Sequence, residues 1–390
     1  MRIGFEASAL QGFKSGVGYY TENLLGSIMR AAPEHDYVLF SNREMNGSWR
    51  RLGSERVYDR RHFPVRAFWM QAMLPGSLRD VQPNVCHFTN YLAPLSCDCP
   101  QIVTIYDMTV FITPRYHRFK KLVLDRTLIP RVAQRADAII TVSNSARYDI
   151  LRHLKVPREK VKVITGAVSS HFRPVTDKAR LDAVRAKYGL HQPFILYVGT
   201  IEPRKNLTRL IQAFSDLKKS GLPHKLVIVG QQGWQVGPIF AEVERLGLSK
   251  DVMFTGYVPL EDLPALYSLC ESMAFPSLYE GFGLPVLEAM ACGAAVVTSR
   301  SSSLIEVAGE AALLVNPLSV AEIADSLRRL HRDPDLRAEL REHGIARASH
   351  FTWEAAARST LDLYEKVAAR SSGITNYGID ESHVTLNSMI

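Results

Sequence analysis

The sequence predicts an α/β protein built from two doubly wound domains that face each other across a cleft. Three observations predict it. At 390 residues the chain is long for a single hydrophobic core. Short apolar or β-branched runs alternate with segments of helical periodicity, the pattern of parallel strands buried on both faces and joined by crossover helices. The alternation then pauses at a Pro- and polar-rich link, Phe172-Arg-Pro-Val-Thr-Asp, and restarts.

In the first half the apolar runs place strands over residues 2–6, 37–41, 85–88, 102–106, 138–142 and 161–164. Helical patterns fill 18–31, 119–135 and 145–154, and the segment from Ser143 to Ser145 offers an N-cap to the last. In the second half strands fit 194–198, 225–229, 252–254, 272–275, 295–298 and 312–315. Helices fit 206–219, 236–245, 260–269, 284–292, 320–331 and 335–343. The expected division is a first domain over 1–172, a second over 177–352, a helix over 353–368 and a weakly periodic, flexible tail over 371–390. Doubly wound sheets bind ligands beyond the carboxyl ends of their strands, so two facing crevices make one cleft.

Composition narrows the class. Hydrophobic residues make up 46% and charged residues 22%, the proportions of a soluble globular protein. No run is long and apolar enough to span a bilayer, and Met1 leads straight into a strand, so no signal peptide is expected. The five cysteines are odd in number, Cys97 and Cys99 are too close for an easy bridge, and Cys270 and Cys292 lie in apolar patterns; a reduced, cytoplasmic protein is expected. No Cys or His pair has zinc-site spacing. Net charge is +8, but residues 1–176 carry 25 Lys+Arg against 14 Asp+Glu while the remainder carries 22 against 25. The basic excess therefore belongs to the first half.

The most informative segment is Ser277-Leu-Tyr-Glu280-Gly-Phe-Gly-Leu-Pro-Val-Leu-Glu288. It sets two carboxylates eight positions apart around a glycine-rich turn that opens an apolar helix. Gly281 and Gly283 let a ligand approach the backbone, and the helix start offers free N–H groups to an anion. A lone carboxylate on an otherwise apolar helix needs a partner, which singles out Glu288. Arg204 and Lys205 follow a strand and precede a helix, where cations oppose the helix dipole. Their presence there points to a bound anion such as a diphosphate. Gly16 and Gly18 form no dinucleotide fingerprint, because position 21 is Thr and nine residues separate Glu6 from Gly16. Asp333 and Asp335 read as a turn and N-cap, and no Asp-x-Asp metal site stands at a strand end.

These residues resemble a known family. Glu280 to Glu288 resembles the E-x7-E motif of retaining glycosyltransferases of the GT-B architecture, of the bacterial family 4 (group 1) type. Phe194-Ile-Leu-Tyr-Val-Gly-Thr200-Ile-Glu-Pro-Arg204-Lys205-Asn206 is similar to the family's donor-phosphate loop, and Ser15-Gly16-Val-Gly18 to its N-terminal glycine loop. Val103-Thr-Ile-Tyr106-Asp107 and Ile140-Thr-Val-Ser143 stand where its site strands end. The ordered match runs from Met1 to about residue 363.

The resemblance implies two Rossmann-like domains, the first binding acceptor and the second a nucleotide-sugar donor, with the helix 353–368 crossing back onto the first. It implies a hexosyltransferase that retains anomeric configuration and needs no metal, cations and helix dipoles standing in for one. Glu288 would hold the ribose hydroxyls. Glu280 would face the donor sugar, beside the backbone of Gly281, Phe282, Gly283 and Leu284. Arg204 and Lys205 would hold the diphosphate. Gly16, Gly18, Thr200, Gly230, Tyr257 and Val258 would line the donor site. Asp107 is placed among the catalytic residues, and His87, Tyr106 and Ser143 among acceptor contacts. Tyr106 departs from the family's usual histidine and cannot carry a proton at neutral pH. The donor is expected to be GDP-mannose or else a UDP-sugar such as UDP-glucose, the only co-substrate, with no bound cofactor. The acceptor is expected to be a glycan or a polyprenyl-diphosphate-linked glycan of bacterial surface or exopolysaccharide synthesis. A fold-sharing phosphorylase or epimerase, and a non-catalytic sugar-nucleotide-binding protein, are the alternatives.

Two segments, 60–74 and 114–124, mix cations with large apolar residues. They suit charge-guided approach to an anionic membrane and aromatic insertion into it, or else a solvated basic face. Nucleic acid is not expected, since no nucleic-acid-binding signature accompanies the charge. The expected location is the cytoplasm, at the inner face of the plasma membrane.

Overall fold

The computed structural model describes residues 1–11, 16–43, 63–117 and 119–371. Ser15, the start of the basic segment at 60–62, Arg118 and the tail beyond Ser371 lie outside the described residues.

The first half runs β1 (Arg2–Glu6), α1 (Gly16–Ala31), β2 (Asp36–Phe40), α2 (Arg66–Ala72), α3 (Leu74–Val81), β3 (Val85–Phe88), β4 (Gln101–Thr104), α4 (Thr109–Ile112), α5 (Phe119–Arg135), β5 (Ala138–Thr141), α6 (Asn144–Leu154) and β6 (Val161–Val163). Its sheet has the order β2-β1-β3-β4-β5-β6, with every pairing parallel. The second half runs α7 (Lys178–Tyr188), β7 (Phe194–Val198), α8 (Leu207–Lys219), β8 (Lys225–Val229), α9 (Gly237–Arg245), β9 (Val252–Gly256), α10 (Leu263–Leu269), β10 (Ser272–Phe275), α11 (Leu284–Ala291), β11 (Val296–Ser299), α12 (Ser303–Ala308), β12 (Leu313–Val315), α13 (Val320–Arg332), α14 (Pro334–Ser349) and α15 (Trp353–Ser371). Its sheet, also parallel, has the order β12-β11-β10-β7-β8-β9. The fold is thus α/β with two Rossmann-like sheets.

The strands form because both faces are covered. Every residue of β7, Phe-Ile-Leu-Tyr-Val, is buried, as are those of β3, β4, β5, β10 and β11. The order of each sheet also fixes where a ligand can sit. In the second sheet the chain winds outward from β7 through β8 and β9, then returns to lay β10 on the other side of β7. The crevice at this reversal lies between the carboxyl ends of β7 and β10. In the first sheet the reversal falls between β1 and β3. The last helix, α15, returns to the first sheet, packing along α1 and against β3.

Several helices escape the sequence reading. α7 has weak amphipathicity, with Val184 its one buried side chain. It is defined by its caps instead: Asp177 accepts from the Ala179 N–H at 3.0 Å, and Gly189 ends it at φ +64°. α2 and α3 fall within the basic, aromatic stretch and are broken from each other at Met73, before Pro75. The helix expected over 206–219 starts at Leu207, because Asn206 is left-handed at φ +62°.

Candidate active site

Two loops meet at the β7/β10 crevice. After β7 the chain makes a 3-10 turn over Pro203–Lys205, and Asn206 anchors it. The Asn206 side-chain amide donates to the carbonyls of Pro276 at 2.9 Å and Pro317 at 2.6 Å, clamping this turn to the loop after β10. Arg204 and Lys205 are thereby aimed at Glu280. Lys205 Nζ lies 2.6 Å from Glu280 Oε1, and Arg204 Nη1 lies 2.9 Å from Glu280 Oε2. Arg204 also reaches Glu202 at 2.6 Å and the Tyr279 carbonyl at 2.6 Å. Ser277 donates a further bond to Glu280 Oε1 at 2.6 Å.

The electrostatics follow from this geometry. Burial alone would raise the Glu280 carboxyl, but Arg204 and Lys205 override it and hold the group down at about 2. Burial likewise pulls the Lys205 ammonium below its ordinary value, opposed by Glu280. The Arg204 guanidinium, though desolvated, is pushed further up by Glu280 and Glu202. Two carboxylates and two cations are gathered in one buried cluster.

A serine-rich stretch after β11, not singled out from the sequence, braces the Glu280 loop. Ser299 donates to the Ser277 carbonyl at 2.6 Å, Ser302 accepts from the Glu280 N–H at 2.9 Å, and Ser303 donates to the carbonyls of Glu280 and Phe282 at 2.9 and 2.8 Å. Ser302 has φ +48°, a left-handed conformation that costs a non-glycine residue energy beside the site. Gly283, at φ +114°, turns the chain into α11. At Gly281 a Cβ would lie 2.3 Å from the Tyr106 carbonyl oxygen, so no larger residue allows the two halves to approach this closely.

The halves are also hydrogen-bonded here. Ser143, which caps α6 by accepting from the Ala146 N–H, donates to the Gly281 carbonyl at 2.8 Å. Tyr279 donates to Asp149 at 2.7 Å. Glu306, from α12, takes the free N–H groups at the start of α6, those of Asn144 at 2.8 Å and Ser145 at 2.6 Å.

The same two loops, through Thr200 and Leu284, help line a pocket of about 400 Å3 between the halves. Gly16, Thr200, Gly230, Tyr257, Val258, Leu284 and Glu288 all line it. Glu288 is half-buried, and its carboxylate accepts from the Tyr267 hydroxyl at 3.1 Å. Burial pushes its carboxyl up to about 7, only partly offset by Tyr267. The lining of this pocket combines backbone glycine with a carboxyl that has acceptor capacity left over.

Other residues expected at the site do not line this pocket. Gly18 is buried within α1, and Phe282 turns inward against Phe351, 5.8 Å between ring centroids. Tyr106 is buried, its hydroxyl without a hydrogen-bond partner and its ring edge-on to Tyr20. His87 is corrected as an acceptor contact: it is fully buried, with Nδ1 2.7 Å from the Tyr364 hydroxyl and Nε2 2.7 Å from Thr104. Its strand-end position placed it near the cleft, but α15 covers it, and burial lowers its pKa to about 3. Asp107 uses one carboxylate oxygen to fix its own turn, accepting from the Thr109 N–H and hydroxyl at 2.9 and 2.6 Å.

His117 was missed. Its Nε2 is buried without a hydrogen-bond partner, and it lies within electrostatic reach of Asp107 and Arg204. The residue before it, Tyr116, lines a second pocket of about 600 Å3 together with Pro203, Asn206, Arg209, Gln212 and Leu278. Pro203 and Asn206 flank the Arg204–Lys205 pair, so this pocket borders the charged cluster without sharing a lining residue with the first. Among the described residues, the one group of three metal-ligating side chains with converging ligand atoms lies at the opposite end of the second sheet from this cleft.

Comparison with known proteins agrees in both halves. Residues 14–171 match the family described as Glycosyltransferase Family 4, and residues 182–347 match Glycosyl transferases group 1. The O-antigen chain mannosyltransferase B of Escherichia coli is 33% identical over 74% of this chain and 76% of its own length. The serotype-specific mannosyltransferase WbdA of Escherichia coli is 36% identical over 64% of this chain, a match that spans only 31% of that longer protein. Among solved structures, Anabaena Alr3699/HepE in complex with UDP and glucose superposes with a TM-score of 0.73 at 19% identity, covering 93% of this chain and 99% of that one.

Proposed function

The chain belongs to the group 1, family 4 glycosyltransferases, and we propose that it moves mannose from GDP-mannose onto a glycan or polyprenyl-diphosphate-linked acceptor in the synthesis of a bacterial surface polysaccharide. The observation that carries this reading is that the two loops holding the buried Glu280–Arg204–Lys205 cluster also line, through Thr200, Leu284 and Glu288, a nucleotide-sized pocket. Ribose hydroxyls donate to Glu288. The diphosphate lies toward Arg204 and Lys205, which give up part of their pairing with Glu280 to it. As the bond from the anomeric carbon to the phosphate oxygen breaks, these preorganised cations stabilise the charge gathering on the leaving diphosphate, without a metal. The leaving oxygen takes the proton of the attacking acceptor hydroxyl, and configuration is retained. The pocket beside Tyr116 admits the acceptor, and His117 and Asp107 orient it. The choice of mannose rests on the mannosyltransferase relatives, whereas the UDP held by the structural neighbour supports a UDP-sugar as the second reading.

A membrane site is part of the proposal. On α5, Phe119, Val123 and Leu124 are exposed, Phe119 by 78%, alongside exposed Lys120, Lys121 and Arg131. α4, with exposed Ile112, packs against the same helix. This combination suits an anionic bilayer surface, where charge drives approach and the apolar side chains enter the interface. Cosedimentation with anionic vesicles tests it: Phe119→Ser together with Lys120→Glu should abolish binding, and unchanged binding by that variant would refute it.

The enzymatic test is nucleotide release from a panel of GDP- and UDP-sugars, in EDTA, with and without a membrane lipid extract. Extract-dependent release of GDP from GDP-mannose alone is expected. Release from a UDP-sugar instead would change the donor, and nucleotide binding without release under any condition would refute catalysis.

A further inference from the structure

The second sheet has an end that the proposed reaction does not use. Its cleft lies at the carboxyl ends of the strands. At the amino ends, His224 immediately precedes β8 and Glu271 immediately precedes β10, two strands that flank β7. α13 packs across β10, β11 and β12 and brings His331, in its last turn, to the same place.

The three side chains converge. His224 Nε2 lies 2.9 Å from Glu271 Oε1, and His331 Nδ1 lies 3.2 Å from the same oxygen. All three ligand atoms fall within 4.8 Å of one another. The two imidazoles meet edge-on at 83°, with centroids 4.8 Å apart, so they present nitrogens to a shared point rather than stack. His224 is 1% exposed, yet neither of its ring nitrogens has a partner with hydrogen-bonding geometry. A buried imidazole nitrogen held against a carboxylate oxygen without a well-formed hydrogen bond is costly unless something else satisfies it.

We propose that His224, Glu271 and His331 bind one divalent transition-metal ion, zinc above all. Two imidazoles and a carboxylate are a borderline donor set that suits zinc and its neighbours and not magnesium or calcium, which take oxygen. Tetrahedral bonds of about 2.0–2.1 Å hold ligand atoms roughly 3.3 Å apart. The two distances to Glu271 are already close to that. Bringing the two nitrogens together needs only a small turn of His331, whose side chain is 36% exposed and free to move. The same exposure leaves a path for the ion and a position for water. The C-terminal end of α13 adds a favourable dipole for a cation. Arg337, which donates to the carbonyls of Leu330 and His331, already supplies positive charge near Glu271 and so weakens the attraction for the ion. Placed at the far end of the sheet from the cleft, the ion would pin α13 to the strand ends and take no part in sugar transfer.

The test uses the full chain stripped with EDTA. Zinc titration followed by calorimetry, with bound metal counted by elemental mass spectrometry, should give one zinc per chain and a melting temperature raised by several degrees. His331→Ala, made on the exposed side so that the fold survives, should lose that zinc and the thermal shift while binding nucleotide as before. His224→Asn should behave the same way. Absence of binding at a hundredfold molar excess, or undiminished stoichiometric binding by His331→Ala, would overturn the site and leave the cluster as an ordinary His–Glu hydrogen-bonded contact.

Discussion

Glu280 and Glu288 are the same residue type, eight positions apart on one loop and helix, yet their surroundings pull them in opposite directions. Glu280 is enclosed by Arg204, Lys205 and Ser277 and stays ionised down to about 2. Glu288 has burial against it and one tyrosine hydroxyl for it, and reaches about 7. The difference separates their roles. Glu280 has both oxygens committed and works as a counter-charge that preorganises two cations. Glu288 faces an open pocket with acceptor capacity to spare and can meet hydroxyl groups. A spacing motif records that two carboxylates are present; the partners decide what each one does.

The largest test of this contrast is stability. Glu280→Ala leaves buried Lys205 without its anion and Arg204 with Glu202 alone, and should cost about 3–5 kcal/mol. Glu288→Ala removes a half-buried group with a single hydrogen bond and should cost about 1 kcal/mol. Denaturant unfolding of the two variants measures both, and equal losses would mean that the charged cluster does not hold Glu280. Because of this loss, activity missing from Glu280→Ala says little by itself. Lys205→Met is the cleaner variant, since Arg204 still neutralises Glu280. Transfer should fall by about 10²–10³ if Lys205 stabilises the leaving diphosphate, with a smaller change in nucleotide affinity.

Smaller effects sharpen the comparison. Glu288→Gln should weaken nucleotide binding about tenfold, the equivalent of roughly 1.4 kcal/mol. In the unaltered protein, binding should strengthen as pH rises through 7 and the carboxylate forms, and the variant should lose that inflection. Stability should respond to pH with opposite signs at the two sites. The folded-state value of Glu280 lies below the ordinary 4.5, so its contribution is present above 4.5 and lost as pH falls toward 2. That of Glu288 lies above 4.5, so its contribution is present below 4.5 and lost as pH rises to 7. Unfolding at pH 3, 5 and 8 for the parent protein and Glu288→Gln resolves the two, and a Glu288→Gln profile identical to the parent's would remove the second.

Much of the architecture was legible in the sequence because buried parallel strands announce themselves as unbroken apolar runs such as 194–198 and 225–229. The family resemblance singled out Thr200, Gly230, Tyr257, Leu284 and Glu288, which line the pocket and which follow strands or lie in a helix that does, where doubly wound sheets keep their ligands. What the sequence hid depends on long-range partners. His87 also ends a strand, and only the return of α15, 277 residues later, seals it against Tyr364. The bracing serines at 299–303 read as a polar turn until the Glu280 loop is laid across them. His117 sits in a turn whose sequence, Pro-Arg-Tyr-His, says basic surface; its open Nε2 and its nearness to Arg204 exist only in three dimensions. α7 has caps but almost no apolar stripe, so periodicity could not find it.

The carboxylate of Glu306 at the start of α6 has a consequence for turnover. It joins the halves through a charge and a helix end, as Asp149 does through the Tyr279 hydroxyl, whereas Ser143 joins them through a neutral hydroxyl–carbonyl bond. A cleft that must part to exchange nucleotide breaks these bonds and remakes them on each cycle. The bonds to the two carboxylates are screened by salt, and the neutral Ser143 bond much less so. The opening rate therefore carries an ionic-strength dependence of its own, present even when donor and acceptor are saturating, and Glu306→Gln is the substitution that flattens it.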